Sequence, residues 1–242
     1  MQNMKKFVGA AVIVSATIAG AGAAQAEITA NISLTSDYVF RGVSLSDNGP
    51  AIQGGFDWTS QHFYAGVWAS NVIDGMEMDL YAGFTPTTGA VQWNLGVIGY
   101  FYPGADDDAA EFDYVEYVIS ASAALTERLT VGGGVYFAPD NWGGTGEATY
   151  YEINAAFQPM DALAFSAAFG NQSIEDPDGA PGGAGEDDYN TWNLGGTYAV
   201  HGFSLDLRYH DTDIDAGSDI EAYTYGPASY DAAVVFTVGR EL

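Results

Sequence analysis

Residues 203–210 read Phe-Ser-Leu-Asp-Leu-Arg-Tyr-His, with a large apolar side chain at every second position. Side chains on a β-strand project alternately to opposite faces, so this segment has one apolar face and one polar face. Such a strand fits a half-buried position in a soluble sheet, or a barrel wall between lipid and a polar lumen. The recurrence of the pattern along the chain, and the segment that precedes it, distinguish these two structures.

The first 26 residues have the organisation of a secretory signal peptide. Lys5 and Lys6 form a basic start, an apolar segment rich in alanine and glycine follows, and Ala24-Gln25-Ala26 fits a cleavage site. We therefore expect residues 1–26 to be removed and residues 27–242 to form the mature domain.

The mature chain is strongly acidic, with four arginines (Arg41, Arg128, Arg208 and Arg240) against 32 acidic residues. Such a chain repels nucleic acid and attracts cations. Because 48% of residues are hydrophobic and 14% are aromatic, the composition is that of a folded chain and not of a disordered one. The absence of cysteine excludes a disulfide framework and a thiolate metal site.

Alternating segments of about ten residues recur along the whole mature chain, as in transmembrane β-barrels. We count twelve: Ile28–Phe40, Ala51–Trp58, Phe63–Val72, Met76–Thr85, Val91–Phe101, Phe112–Ala124, Leu129–Phe137, Thr149–Gln158, Leu163–Gly170, Tyr189–Val200, Phe203–His210 and Tyr230–Arg240. No segment has the 3.6-residue apolar period of an amphipathic helix. The sequence therefore predicts an all-β fold, a closed antiparallel transmembrane β-barrel of about 12 strands.

The connections between these segments favour a barrel over a β-sandwich. Five of the six odd-numbered connections are long, and all five even-numbered connections are short. Outer-membrane barrels have short periplasmic turns and long external loops, and an even strand number places both termini in the periplasm. Because a sandwich has no reason to sort its loops in this way, we expect the protein to lie in the bacterial outer membrane.

The start of the mature chain resembles a known family. Ser36-Asp37-Tyr38-Val39-Phe40-Arg41-Gly42-Val43-Ser44, followed by Pro50-Ala51-Ile52-Gln53-Gly54-Gly55-Phe56-Asp57, is similar to the opening of the TorF family, proteobacterial proteins interpreted as porins. Residues 63–72 resemble the next segment of that family. The resemblance implies an outer-membrane barrel with a porin-like function, and implies little about the solute.

Nine residues are candidates for the lumen and its selectivity. They are Arg41, Asp57, Glu77, Asp79, Glu116, Glu152, Asp206, Arg208 and His210. Charges on the inner face of a barrel tune ion selectivity, so this mainly acidic set predicts a preference for cations. The alternative is a packed polar interior in which Arg208 pairs with neighbouring carboxylates, because twelve strands enclose less space than the sixteen of large porins.

Arg41 is the one cation that the predicted topology places near the outer mouth. Gly42 follows it and permits a tight turn. We expect a structural role, in which the guanidinium fork binds acidic or carbonyl groups and folds the first long loop over the mouth. The alternative is a charged constriction opposite a ring of carboxylates.

A second acidic group follows the strand 203–210. Asp211, Asp213, Asp215 and Asp219 resemble an EF-hand loop, but that loop requires glycine at its sixth position and glutamate at its twelfth, where this chain has Ala216 and Ala222. We expect instead an acidic outer rim that binds Ca²⁺ or Mg²⁺ loosely, or bridges to lipopolysaccharide phosphates. The alternative is a solvated loop. No other cofactor is expected.

Two functions remain after an enzyme is set aside, since the three histidines accompany no nucleophile on a strained turn. The first is a passive pore for small solutes or ions, with a cation preference. The second is a closed structural or surface-interaction barrel whose acidic outer loops bind divalent cations, lipopolysaccharide or a partner. The expected partners are outer-membrane lipid, lipopolysaccharide, and small solutes or cations. The sequence pattern does not indicate an oligomeric state.

Overall fold

The computed structural model describes residues 26–73, 75–105, 112–177 and 187–242, without the side chains of Asp187 and Ala222. The predicted signal peptide lies outside the described residues, except for Ala26.

Twelve long strands account for most of the described residues. They are β1 (Glu27–Thr35), β2 (Ala51–Thr59), β3 (Phe63–Val72), β4 (Gly75–Phe84), β5 (Val91–Phe101), β6 (Tyr114–Ala124), β7 (Leu129–Ala138), β8 (Ala148–Met160), β9 (Leu163–Ile174), β10 (Asp187–Val200), β11 (Phe203–Thr212) and β12 (Ala233–Glu241). Each strand pairs antiparallel with its sequence neighbours, and β1 pairs with β12. The sheet is therefore closed, and the predicted twelve-stranded barrel is confirmed.

Loop length sorts the two ends of the barrel as predicted. At the end that holds both termini, the connections are short turns, at residues 60–62, 85–90, 125–128, 161–162 and 201–202. At the other end, five connections are long, at residues 36–50, 102–113, 139–147, 175–186 and 213–232. The short turn after β3 is the exception there. We call the end with the long loops the outer mouth.

The two faces of the wall differ in polarity, as β11 illustrates. Leu207 is 58% exposed on the outer surface, whereas its neighbours Asp206 and Arg208 are 7% and 9% exposed inside. Exposed apolar side chains occur around the barrel and include Ile32, Ile52, Leu80, Leu95, Ile119, Ile153, Phe169, Leu194 and Phe236. Proteins in water rarely expose a contiguous apolar surface of this extent, so the band faces lipid and the barrel spans the outer membrane. Among the described helices, none has the length and hydropathy to cross a membrane.

The predicted segment Leu163–Gly170 stops short of its strand, which continues to Ile174, and two other predicted segments extend beyond their strands. The first strand ends at Thr35 and not at Phe40, because the chain then turns into the barrel. The last strand begins at Ala233 and not at Tyr230. Tyr230 is buried, and its hydroxyl donates to Glu221 Oε1 at 2.8 Å within the loop before β12. Both segments were misread because loops that fill a barrel mouth are as apolar as strands.

The lipid-facing assignment predicts a depth-dependent cost for a buried charge. Ile153, at the centre of β8, and Ile28, near the terminal end of β1, are both exposed on the outer surface. Ile153→Arg should lower the free energy of unfolding by about 2–4 kcal/mol, and Ile28→Arg by about 0–1 kcal/mol, because Arg costs most at the bilayer midplane. Denaturant unfolding in lipid vesicles measures both. Equal costs at the two positions would contradict the assigned membrane position.

Candidate functional site

The first long loop, residues 36–50, folds into the barrel; we call it loop 1. Residues Val39–Phe40 pair with Val43–Ser44 in a short hairpin. Arg41 and Gly42 form its tip, with φ of 48° and 86°. A side chain at Gly42 would collide with Thr191 and Thr212 on the opposite wall, so glycine allows both the turn and the close approach.

The base of loop 1 is organised by Asp37. Its Oδ1 atom accepts hydrogen bonds from the hydroxyls of Ser44 at 2.6 Å and Ser46 at 3.0 Å. The Ser46 hydroxyl also accepts from the Tyr38 backbone N–H at 2.8 Å. These local bonds replace a strand ladder, and they explain why the chain leaves β1 at Thr35.

Arg41 crosses the lumen and forms an ion pair with Glu116 on β6. Its Nη1 lies 2.7 Å from Glu116 Oε1, its Nη2 donates to Oε2 at 2.9 Å, and Nη1 also donates to Gln172 on β9 at 2.9 Å. The two side chains are only 10% and 1% exposed. The guanidinium also lies 4.4 Å from the ring centroid of Tyr150. Burial disfavours the charged guanidinium, but Glu116, Tyr100 and Tyr114 together outweigh burial and raise the pKa of Arg41 well above its ordinary value.

Tyrosine hydroxyls fix loop 1 at two further points. Tyr38 in loop 1 and Tyr102 after β5 donate to the two carboxylate oxygens of Glu77, each at 2.6 Å. On the opposite wall, Tyr189 donates to the backbone carbonyl of Arg41 at 3.1 Å. Burial and the Glu77 carboxylate raise the pKa of Tyr38 well above its ordinary value, so its hydroxyl remains a donor.

Tyrosine–carboxylate bonds recur along the inner wall. Asp57 accepts from Tyr81 at 2.5 Å, and Glu116 accepts from Tyr100 at 3.1 Å. Glu152 accepts from Asn154 at 2.8 Å and more weakly from Tyr150 at 3.4 Å. The alternation pattern predicts no role for these tyrosines. The available signal was compositional, because 16 tyrosines accompany an acidic chain with few arginines.

A second polar group lies on β9, β10 and β11. Arg208 donates to both Asp206 oxygens, at 3.3 and 3.1 Å, and also to Asn193 at 2.8 Å and Ser166 at 2.9 Å. Thr197 donates to Asp206 at 2.6 Å. His210 is half-buried two residues further along the same face. This group is internally paired, as the packed-interior alternative requires of Arg208.

Asp79 differs from the other carboxylates on the barrel strands, although Asp37 in loop 1 also has a buried oxygen, Oδ2, without a hydrogen-bond partner. Asp79 is 2% exposed, and its Oδ1 atom is buried without a hydrogen-bond partner. It lies on β4 between the inner-face positions of Glu77 and Tyr81. The structure therefore brings Arg41, Glu77, Asp79 and Glu116 together under loop 1, and holds Asp206, Arg208 and His210 as a separate group.

Aromatic side chains fill the outer mouth around loop 1. Tyr100 and Tyr114 stack with ring centroids 4.4 Å apart, and Trp142 contacts Tyr223 edge-to-face at 5.9 Å. A cavity of about 40 Å³ lies between loop 1 and this group; Phe40, Arg41, Tyr102, Trp142, Tyr189 and Tyr223 are among its lining residues. Such a volume holds about three water molecules, so loop 1 is packed tightly in the mouth.

The predicted acidic rim runs from Asp211, near the end of β11, into the loop before β12. Asp211 accepts from the Tyr209 hydroxyl at 2.6 Å, and Asp213 accepts from the backbone and side chain of Asn190 at 2.6 and 2.7 Å. Asp215 and Asp219 are exposed further along the loop. Within the described ranges, no three acidic or histidine side chains are arranged to hold a metal ion.

Comparison with solved structures identifies similar barrels. The NanC porin aligns with a TM-score of 0.56 at 9% identity, over 87% of this chain and 97% of that chain. The KdgM porin, solved in complex with disordered oligogalacturonate, aligns with a TM-score of 0.57 at 7% identity, over 89% and 98%. At these identities the similarity shows the fold, that of an outer-membrane porin.

Comparison of the sequence gives fewer matches than comparison of the fold. No curated protein sequence matches the chain. One family is nevertheless defined for it: the sequence model of Gcw_chp, described as a bacterial protein of unknown function, matches residues 19–242, and the chain therefore belongs to that family.

Proposed function

We propose that this protein is an outer-membrane channel for the passive diffusion of small solutes or ions, with a preference for cations and a mouth narrowed by loop 1. The observation that carries the proposal is the net acidic inner wall of a closed barrel. Asp57, Glu77, Asp79, Glu116, Glu152 and Asp206 lie inside, against the guanidinium groups of Arg41 and Arg208. A carboxylate-rich wall attracts cations and repels anions.

The comparisons support a channel rather than an enzyme, and the resemblance to the TorF family points the same way. They do not carry over a solute. Oligogalacturonate, present with KdgM, is a chain of acidic sugars. The inner carboxylates of this barrel would repel such a polyanion, so we propose small cations and small neutral solutes instead.

A second candidate function is a closed barrel that acts through its outer loops, binding divalent cations, lipopolysaccharide or a partner. The observation that favours it is the packing of loop 1, since Val43 and Ser44 are buried in the mouth and little space remains around them. The two functions differ in whether ions pass through the lumen.

Planar-bilayer recording separates the two candidates. The purified barrel should show discrete conductance steps, small because loop 1 narrows the mouth, and a reversal potential that favours K⁺ over Cl⁻ in a KCl gradient. Insertion is confirmed separately by flotation of the barrel with lipid vesicles, and folding by the difference in gel mobility between unheated and heated samples. Silent bilayers with confirmed insertion would favour the closed barrel, and a preference for Cl⁻ would contradict the electrostatic argument.

The anchoring of loop 1 can be tested at Arg41. In Arg41→Ala, Glu116 stays buried without its cationic partner. Removing one partner of a buried ion pair lowers the free energy of unfolding by about 3–5 kcal/mol. We expect loop 1 to leave the mouth, which should increase the conductance and speed cleavage by added chymotrypsin after Tyr38 or Phe40.

The double variant Arg41→Ala/Glu116→Gln is the matched control. It removes the unpaired carboxylate, so cleavage should slow relative to Arg41→Ala alone. If conductance changes severalfold while the cleavage rate stays at the wild-type value, Arg41 acts on the ions directly and does not anchor the loop.

A further inference from the structure

Below loop 1, three buried carboxylates lie near a single guanidinium group among the described residues. Glu77, Asp79 and Glu116 are 1%, 2% and 1% exposed, and Arg41 is the cation that contacts this group in the described structure. Burying a carboxylate without a partner is costly, so each of the three requires compensation.

Two of the three carboxylates are compensated by protein groups. Glu116 has the Arg41 fork and the Tyr100 hydroxyl. Glu77 accepts one tyrosine hydroxyl on each oxygen. Asp79 Oδ1 is buried and has no hydrogen-bond partner, although Glu77 and Glu116 both lie within electrostatic range of Asp79. Of these three carboxylates, Asp79 is therefore the one that protein groups leave uncompensated.

The geometry of β4 places Glu77 and Asp79 on one face. Their Cα atoms are about 7 Å apart, because residues i and i+2 of a strand are separated by two rises of about 3.3 Å. A cation that takes carboxylate oxygens as ligands can bridge side chains at that spacing. Acidic side chains along a lumen are also how channels admit cations while letting them leave again.

We propose that Glu77 and Asp79 form a binding site for a permeant monovalent cation, of the size of Na⁺ or K⁺, directly below loop 1. The proposed site rests on the proposed channel function, and it identifies where in the lumen a passing cation would bind. Two carboxylates with tyrosine hydroxyls nearby suit a weakly held monovalent ion. A tightly chelated divalent ion would need more ligands. Occupancy would neutralise the charge that the protein leaves unpaired at Asp79.

Selectivity measurements test the site in function. Asp79→Asn should lower the K⁺ over Cl⁻ permeability ratio severalfold, whereas Asp79→Glu should retain most of it because the charge remains. Glu152→Gln removes the same charge from an inner carboxylate that already has hydrogen-bond partners, so it should lower the ratio less. Equal effects of Asp79→Asn and Glu152→Gln would mean that only the total charge matters, and would overturn the site.

Crystals soaked in Rb⁺ test binding without conduction. An anomalous peak beside Asp79, absent in Asp79→Asn, is the expected result; no peak there in the wild type overturns the site. An infrared carbonyl band of a protonated carboxylic acid at neutral pH, lost in Asp79→Asn, would also overturn it, because a proton would then supply the compensation.

The failures of the two proposals are distinguishable. A wild-type barrel that conducts with cation preference, but shows neither Rb⁺ at Asp79 nor sensitivity to Asp79→Asn, contradicts the site alone. A barrel that binds Rb⁺ at Asp79 but remains silent in bilayers contradicts the channel and leaves the site.

Discussion

The ion pair between Arg41 and Glu116 holds loop 1 in its position inside the barrel. It joins a loop that follows the first strand to a strand 75 positions later in the chain, and both side chains are almost fully buried. A pair of this kind gains little net free energy from forming, but breaking it by removing one partner is expensive. Its effect is therefore to specify one position for loop 1, and the tyrosine contacts around it depend on that position.

Asp57, Glu77 and Glu152 are stabilised in a different way, by tyrosine hydroxyls, because the chain has few cationic side chains to offer them. Tyrosine supplies a hydroxyl donor at the end of a large apolar ring, so it can satisfy a carboxylate and fill space in the barrel at once. A tyrosine hydroxyl brings no positive charge beside the carboxylate, whereas lysine or arginine would. An acidic lumen and a tightly packed one are thus compatible in this protein.

The sequence predicted the fold well because a barrel wall has a simple period. Alternation alone assigns Asp206 and Arg208 to the inside and Leu207 to the lipid, and hydrogen bonding between adjacent strands then fixes the register. The alternation of long and short connections predicted which end of the barrel is the outer mouth. This prediction was possible because the length of each connection is read directly from the sequence.

The contacts of loop 1 could not be predicted in this way. Arg41 binds Glu116, Gln172 and Tyr189, which are 75, 131 and 148 positions away. No repeat in the sequence relates such distant residues, and a loop held by side-chain bonds has no ladder register to extrapolate. The sequence indicates Arg41 as an anchor or a constriction, but its partners follow only from the three-dimensional arrangement of the strands.

The tip of loop 1 also bears on the order of assembly. Gly42 lies against Thr191 and Thr212, a directly paired position on β10 and β11. That surface does not exist until the C-terminal third of the chain has joined the sheet, so loop 1 cannot dock on a partly built barrel. The first loop to be synthesised therefore completes its contacts only after two of the last strands have joined the sheet. The contact of Gly42 with Thr191 and Thr212 therefore depends on the correct register between β10 and β11.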